Sequence, residues 1–145
     1  MADLTAERRK TKSHVGSQTV VYQPTMVTGG TVYKGGLVQI TTAGLASRAG
    51  AANPKFVLGR ALETYVAAAA GQTVRVEAGT FLWDNLGGDP LLVADIGTPC
   101  YVTDDQTVHQ TDGGADLIAG TVIDVTSEGV YVETRMPVNS GITAP

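Results

Sequence analysis

Glycine interrupts this chain so often that a long helix has no room to form. The 18 glycines among 145 residues fall between short runs rich in valine and threonine. Each glycine in a helix interior costs about 1 kcal/mol against alanine, whereas β-branched side chains suit a pleated, half-buried surface. Many short strands joined by tight turns are the expected result.

The runs can be placed. Thr19–Tyr22 is a short β-type run stopped by Pro24, and Thr31–Tyr33 and Leu37–Thr41 follow, split by Gly35-Gly36. Residues 42–50 read as a turn. Phe56–Thr64 is a longer run with Gly59 inside it, the mark of a bulge or a close backbone approach. Residues 65–71 read as a loop or single turn, since Ala67–Ala70 are too few to nucleate a helix. Thr73–Glu77 alternates, with Val74 and Val76 on one face, as a half-buried strand does. Thr80–Trp83, after Gly79, reads as its hairpin partner. Asp89-Pro90 has the form of an N-cap with proline at the first helical position, so a short helix is expected at Leu91–Ile96, ended by Gly97. Cys100–Thr103 and Thr107–Gln110 flank the polar turn Asp104-Asp105-Gln106. Ile118–Thr126 and Val130–Arg135 flank Ser127-Glu128-Gly129, with glycine where a positive φ is needed.

Strands recurring every 8–12 residues predict an all-β chain, a small β-barrel or β-sandwich with one short helix. The length fits one domain with its own core. Charged residues make up 17%, below the roughly 25% of an average chain, and they are unevenly placed. Residues 1–17 carry Arg8, Arg9, Lys10 and Lys12 against Asp3 and Glu7, a balance of +2, while the rest of the chain is at −6. The expected organisation is a basic, extended N-terminal arm at 1–17, a β-rich domain at 18–137 and a C-terminal tail at 138–145. An acidic body is a poor fit to nucleic acid, which needs clustered Lys and Arg. No run reaches the ~18 apolar residues of a membrane helix, and the N-terminus lacks the apolar stretch of a signal peptide. A soluble product made in a cytoplasm is expected.

Catalytic patterns are sparse. The glycines and lysine of residues 30–36 lack the Gly-Lys-Ser/Thr ending of a phosphate loop, and no Gly-x-Ser-x-Gly elbow or His-Glu-x-x-His pair is present. His14 lies on the arm. His109 reads as a solvent-facing strand residue with no nucleophile and orienting group nearby in sequence. Asp84, Asp89 and Asp95 do not have calcium-loop spacing and suit turns and caps. Asp104 and Asp105 suit a hairpin turn better than a catalytic pair. Phe81 and Trp83 share a strand face and suit a core better than a ligand platform. Cys100, the lone cysteine, reads as a buried small hydrophobe. No cofactor, metal or catalytic residue is expected. The sharpest local feature is Arg8, Arg9, Lys10 and Lys12, read as a contact arm for an acidic protein neighbour or as a solvated tail; as a nucleic-acid patch four charges are weak.

Ala94-Asp95-Ile96-Gly97-Thr98-Pro99-Cys100-Tyr101-Val102-Thr103-Asp104-Asp105-Gln106-Thr107-Val108 resembles a pattern found in capsid decoration, cement or head-fibre-like proteins of tailed phages. Ala119–Val125, Gly129–Glu133, Leu58–Ala61 and the strand at 71–77 are similar to the same group, so the resemblance spans about residues 25–136. It implies a β-barrel or sandwich on the exterior of a phage head, tying neighbouring major capsid protein subunits together. It also implies a homo-oligomer, a trimer in preference to a dimer, with no nucleic acid or membrane partner. The alternatives are another virion component, such as a tail tube or fibre, and a carbohydrate-binding or carbohydrate-active protein using Trp83 with Asp84 or Asp89.

Overall fold

The computed structural model of the protein describes residues 3–7 and 19–135. Twelve strands lie among them. They are β1 (Val20–Tyr22), β2 (Thr31–Val32), β3 (Leu37–Thr41), β4 (Ala46–Arg48), β5 (Pro54–Ala61) and β6 (Tyr65–Val66), then β7 (Val76–Ala78), β8 (Thr80–Asn85), β9 (Pro99–Asp104), β10 (Thr107–His109), β11 (Ile118–Thr126) and β12 (Gly129–Glu133). The fold is all-β, as expected. The first half forms a five-stranded sheet in the order β1-β7-β5-β3-β4, with β2 and β6 paired beside it, and the second half closes into a barrel, β10-β8-β12-β11-β9.

Three local expectations are corrected. Thr80–Trp83 is not the hairpin partner of the preceding strand. Gly79 instead passes the chain from sheet to barrel, because β7 pairs with β1 and β5 while β8 pairs with β12 and β10. Thr134 fixes that crossing, its Oγ1 donating to the Gly79 carbonyl at 2.8 Å and accepting the Gly79 N–H at 3.0 Å. Second, Leu91–Ile96 forms no α-helix, only a 3-10 turn at Val93–Asp95. The Asp89 carboxylate is committed elsewhere, to the N–H and hydroxyl of Thr111. Leu91 is held by the Asn85 side chain and buried in the barrel core, so the segment is pinned before a helix can start. Third, residues 42–50 contain β4, and residues 65–71 contain β6. The C-terminal hairpins are as expected: Thr107 pairs with Asp104, and Thr126 with Gly129, whose φ is +145°.

Two apolar cores share the central sheet. Phe81, Trp83, Leu91, Cys100, Val122 and Val132 fill the barrel, joined by Leu37 and Val57 from one sheet face. Val38, Ile40 and Leu58 belong to the second core, with Met26, Val32, Val74 and Val76. Alternate residues of β3 and β5 therefore point into different cores, and all five residues of β3 are buried. A strand buried on both faces reads as a continuous run. Its polar member, Gln39, is fully buried and satisfied, donating to Ser47 Oγ at 3.0 Å and Ala51 O at 3.1 Å and accepting from Gly50 N–H at 3.1 Å.

Candidate functional site

The five-stranded sheet has two edges, and they are treated differently. β4 is covered by its own chain: Ala46 N–H donates to Thr25 O at 2.7 Å and Val27 N–H to Ala46 O at 2.9 Å. β1 pairs inward with β7 and has no strand on its outer side among the described residues. Its side chains Val20, Val21 and Tyr22 are 44%, 56% and 41% exposed. An open edge is a row of unused N–H and C=O groups, and proteins normally blunt it with lysine, proline or a bulge. The strand itself, Val-Val-Tyr, has none of these; Pro24 stands just past its end. Tyr22, Gln23 and Pro24 run on into a shallow groove completed by Ile40, Phe56 and Leu58. Among the described residues, edge and groove together form an uncharged, largely apolar surface.

A second feature lies at the seam between sheet and barrel. Residues 3–7 rest on the body of the chain. Asp3 pairs with Arg48 of β4, Leu4 N–H donates to Asp105 Oδ1 at 2.7 Å, and Glu7 accepts weakly from the Thr64 hydroxyl at 3.5 Å. Leu4 covers Gly36, where a Cβ would come within 2.8 Å of Leu4 Cδ1. Beneath this segment, Asp104 and Asp105 are only 4% and 1% exposed. The sequence suggested a polar hairpin turn here, and the burial was not legible. Asp104 Oδ1 accepts the Gln106 N–H, but Oδ2 of each carboxylate has no hydrogen-bond partner among the described residues. Burial is the main force pushing the Asp105 carboxyl above its ordinary value, opposed by the Leu4 N–H and reinforced by Asp104. The basic residues expected to contact a partner, Arg8, Arg9, Lys10 and Lys12, lie outside the described residues, as does His14.

The remaining candidates resolve into structural roles. Trp83 is fully buried in the barrel and cannot stack on a sugar or base. Asp89 ties to Thr111, and Asp95 accepts the Leu92 N–H at 2.7 Å and the Gln110 amide at 3.1 Å. Cys100 is buried, and desolvation pushes its thiol up to about 12. His109 is not solvent-facing. Its side chain is 14% exposed, with Nδ1 2.8 Å from Thr103 Oγ1 and Nε2 2.9 Å from Asp116 Oδ2. The His109 hydrogen bond, then the Gly113 N–H, hold Asp116 below the ordinary carboxylate value. Sequence reasoning missed this chain because Asp116 sits beyond a Gly-rich loop. Hydroxyl, imidazole and carboxylate stand in the order a nucleophilic triad uses, yet none of the three lines the apolar groove or the second depression near Thr41, Leu45 and Arg48. The arrangement staples β9, β10 and the 112–116 loop.

No protein-family model, curated protein or solved structure matches the chain.

Proposed function

We propose that this chain is a structural virion protein that binds the outside of a tailed-phage head and cements neighbouring major capsid protein subunits, acting without catalysis or cofactor. The observation that carries the reading is the β1 edge, which has no outer strand among the described residues, beside its apolar groove, a surface suited to receiving a strand from another protein. The pattern at residues 94–108 supports it from the sequence side. The expected state is a homo-oligomer, a trimer before a dimer. Pairing a strand edge with its own copy is a twofold operation and closes no threefold ring. In a trimer the β1 edge is therefore left for the shell.

The mechanism is additive. A lattice presents many equivalent sites, and a molecule that touches two capsomers gains avidity from contacts that are individually weak. Main-chain pairing along β1 supplies geometry, the groove takes an apolar side chain, and Arg8, Arg9, Lys10 and Lys12 meet carboxylates on the shell. Co-sedimentation of the purified protein with expanded heads tests the reading. Saturable binding at a fixed copy number per capsomer is expected. Absence of binding to both procapsids and expanded heads would overturn it, and binding to tails instead would move the protein to the tail tube or fibre.

A further inference from the structure

We propose that the β9–β10 hairpin turn is a binding site for one hard divalent cation of the calcium class, held by Asp104 Oδ2, Asp105 Oδ2 and Thr107 Oγ1. The ion is structural rather than a reaction's cofactor, and the inference stands or falls separately from the virion reading.

Three oxygens of this turn are buried and unpartnered. Asp104, Asp105 and Thr107 are 4%, 1% and 0% exposed. Asp104 Oδ2, Asp105 Oδ2 and Thr107 Oγ1 each have no hydrogen-bond partner among the described residues. Asp104 and Thr107 are Cα partners across the β9–β10 ladder, and such partners carry their side chains on one face with Cβ atoms about 4.5–5.5 Å apart. A hydroxyl rotates to suit its surroundings, yet this one makes no bond to the carboxylate opposite. Native structures leave few such groups, and a water or ion is a usual explanation. The other oxygen of each carboxylate is fixed by a main-chain N–H, Asp104 Oδ1 by Gln106 at 3.0 Å and Asp105 Oδ1 by Leu4 at 2.7 Å. Glycines keep space around the turn. A Cβ at Gly36 would stand 3.5 Å from Asp105 Oδ2, and one at Gly50 would stand 3.6 Å from Asp104 Cα.

Charge points to the same ligand. Neither Asp104 nor Asp105 forms an ion pair among the described residues, and the nearby Arg48 is paired with Asp3. Adjacent buried carboxylates without a countercharge are costly, and one divalent ion neutralises both. No three His, Cys, Asp or Glu side chains gather among the described residues; here the buried Thr107 hydroxyl is the third donor. A donor set made only of oxygen selects calcium or magnesium over the transition metals. Magnesium demands a near-ideal octahedron and keeps several waters, whereas calcium accepts irregular oxygen sets, so a closed turn suits calcium better. The turn also meets the sheet, because the Asp105 carbonyl accepts the Leu37 N–H of β3 at 2.8 Å. An ion here stiffens the seam between sheet and barrel.

The test is titration of the full chain with calcium chloride after stripping with a chelator and exchange into metal-free buffer. It is read by isothermal titration calorimetry and by melting temperature. One ion per chain should bind, and the melting temperature should climb with calcium concentration, as it does for a ligand that binds only the folded state. Asp104→Asn should weaken calcium binding at least about tenfold, since affinity follows ligand charge. In chelator the same variant should melt above the wild type, because an uncompensated buried charge is gone. Thr107→Val should show the same crossing, losing calcium affinity while melting higher in chelator, where an unsatisfied hydroxyl has been removed. Asp112→Asn, a carboxylate outside the turn, should bind calcium like the wild type. A wild-type chain that takes up no calcium and melts at one temperature throughout would overturn the proposal. So would calcium binding that survives undiminished in Asp104→Asn and Thr107→Val, since the ion would then lie elsewhere. If one of these variants does not fold, the wild-type titration and the other variant decide the matter.

Discussion

Single side chains in this protein are mostly occupied in holding its turns and seams. Gln39 satisfies a buried loop, Asn85 grips Leu91 by donating to its carbonyl and accepting its N–H, and Thr134 clamps Gly79. Cys100 gives the plainest residue-scale expectation. A thiolate is the reactive form, and burial has pushed this thiol up to about 12. The folded protein should leave a thiol reagent unconsumed near neutral pH and react with one equivalent once unfolded in denaturant. Prompt labelling of the native chain would show that the barrel opens around β9. A buried cysteine and a core role for Phe81 and Trp83 were legible from the residues alone. It did not disclose the burial of Asp104 and Asp105. Two aspartates before a hairpin glutamine read as a polar turn, and no local pattern reports a contact across 101 residues.

At the scale of the element, hairpins closed by local turns were legible and long-range pairings were not. The β9–β10 and β11–β12 turns announce themselves in Asp104-Asp105-Gln106 and Ser127-Glu128-Gly129. Gly79 looked like another hairpin turn because glycine between two alternating runs usually is one. Here the chain instead changes partners, and only the assembled sheets reveal it. Gly59 was correctly marked as a close approach. A Cβ there would run into the carbonyl oxygen of Glu77 on β7, whereas at Gly87 it would meet nothing within 4 Å. Gly59→Ala should destabilise the chain by about 1–3 kcal/mol in denaturant unfolding, the usual cost of overpacking. Gly87→Ala should be nearly silent by the same measure. Equal effects would mean that β5 and β7 are less tightly apposed than described. For β1 the expectation concerns binding. Val21 is 56% exposed, so Val21→Lys should change stability by no more than about 0.5 kcal/mol. Placing a charge on an open edge opposes strand addition, and head binding should fall at least about tenfold. Undiminished binding by a folded Val21→Lys chain would remove β1 from the contact surface.

The whole molecule is two cores divided by one sheet. Leu37 and Val57 face the barrel while Val38, Ile40 and Leu58 face away, so neither half has a complete core without β3 and β5. This explains why a run like Leu-Val-Gln-Ile-Thr carries no alternation: both of its faces are buried. All-β class, small size and the choice between barrel and sandwich follow from spacing and turn chemistry; that the second half closes into a barrel does not. The division into sheet and barrel, and the covering of β4 by residues 25–27 that leaves β1 as the edge with no outer strand among the described residues, depend on contacts distant in sequence. The proposed role draws on that asymmetry, with β4 covered by residues 25–27 and no strand outside β1 among the described residues.

Cryo-electron microscopy of heads from a phage carrying this gene, beside heads from a deletion, is the most direct measurement. Density on the outer shell that fits the barrel, meets the capsid protein along Val20–Tyr22 and vanishes in the deletion is the expected result. Heads identical with and without the gene would contradict a decorating role.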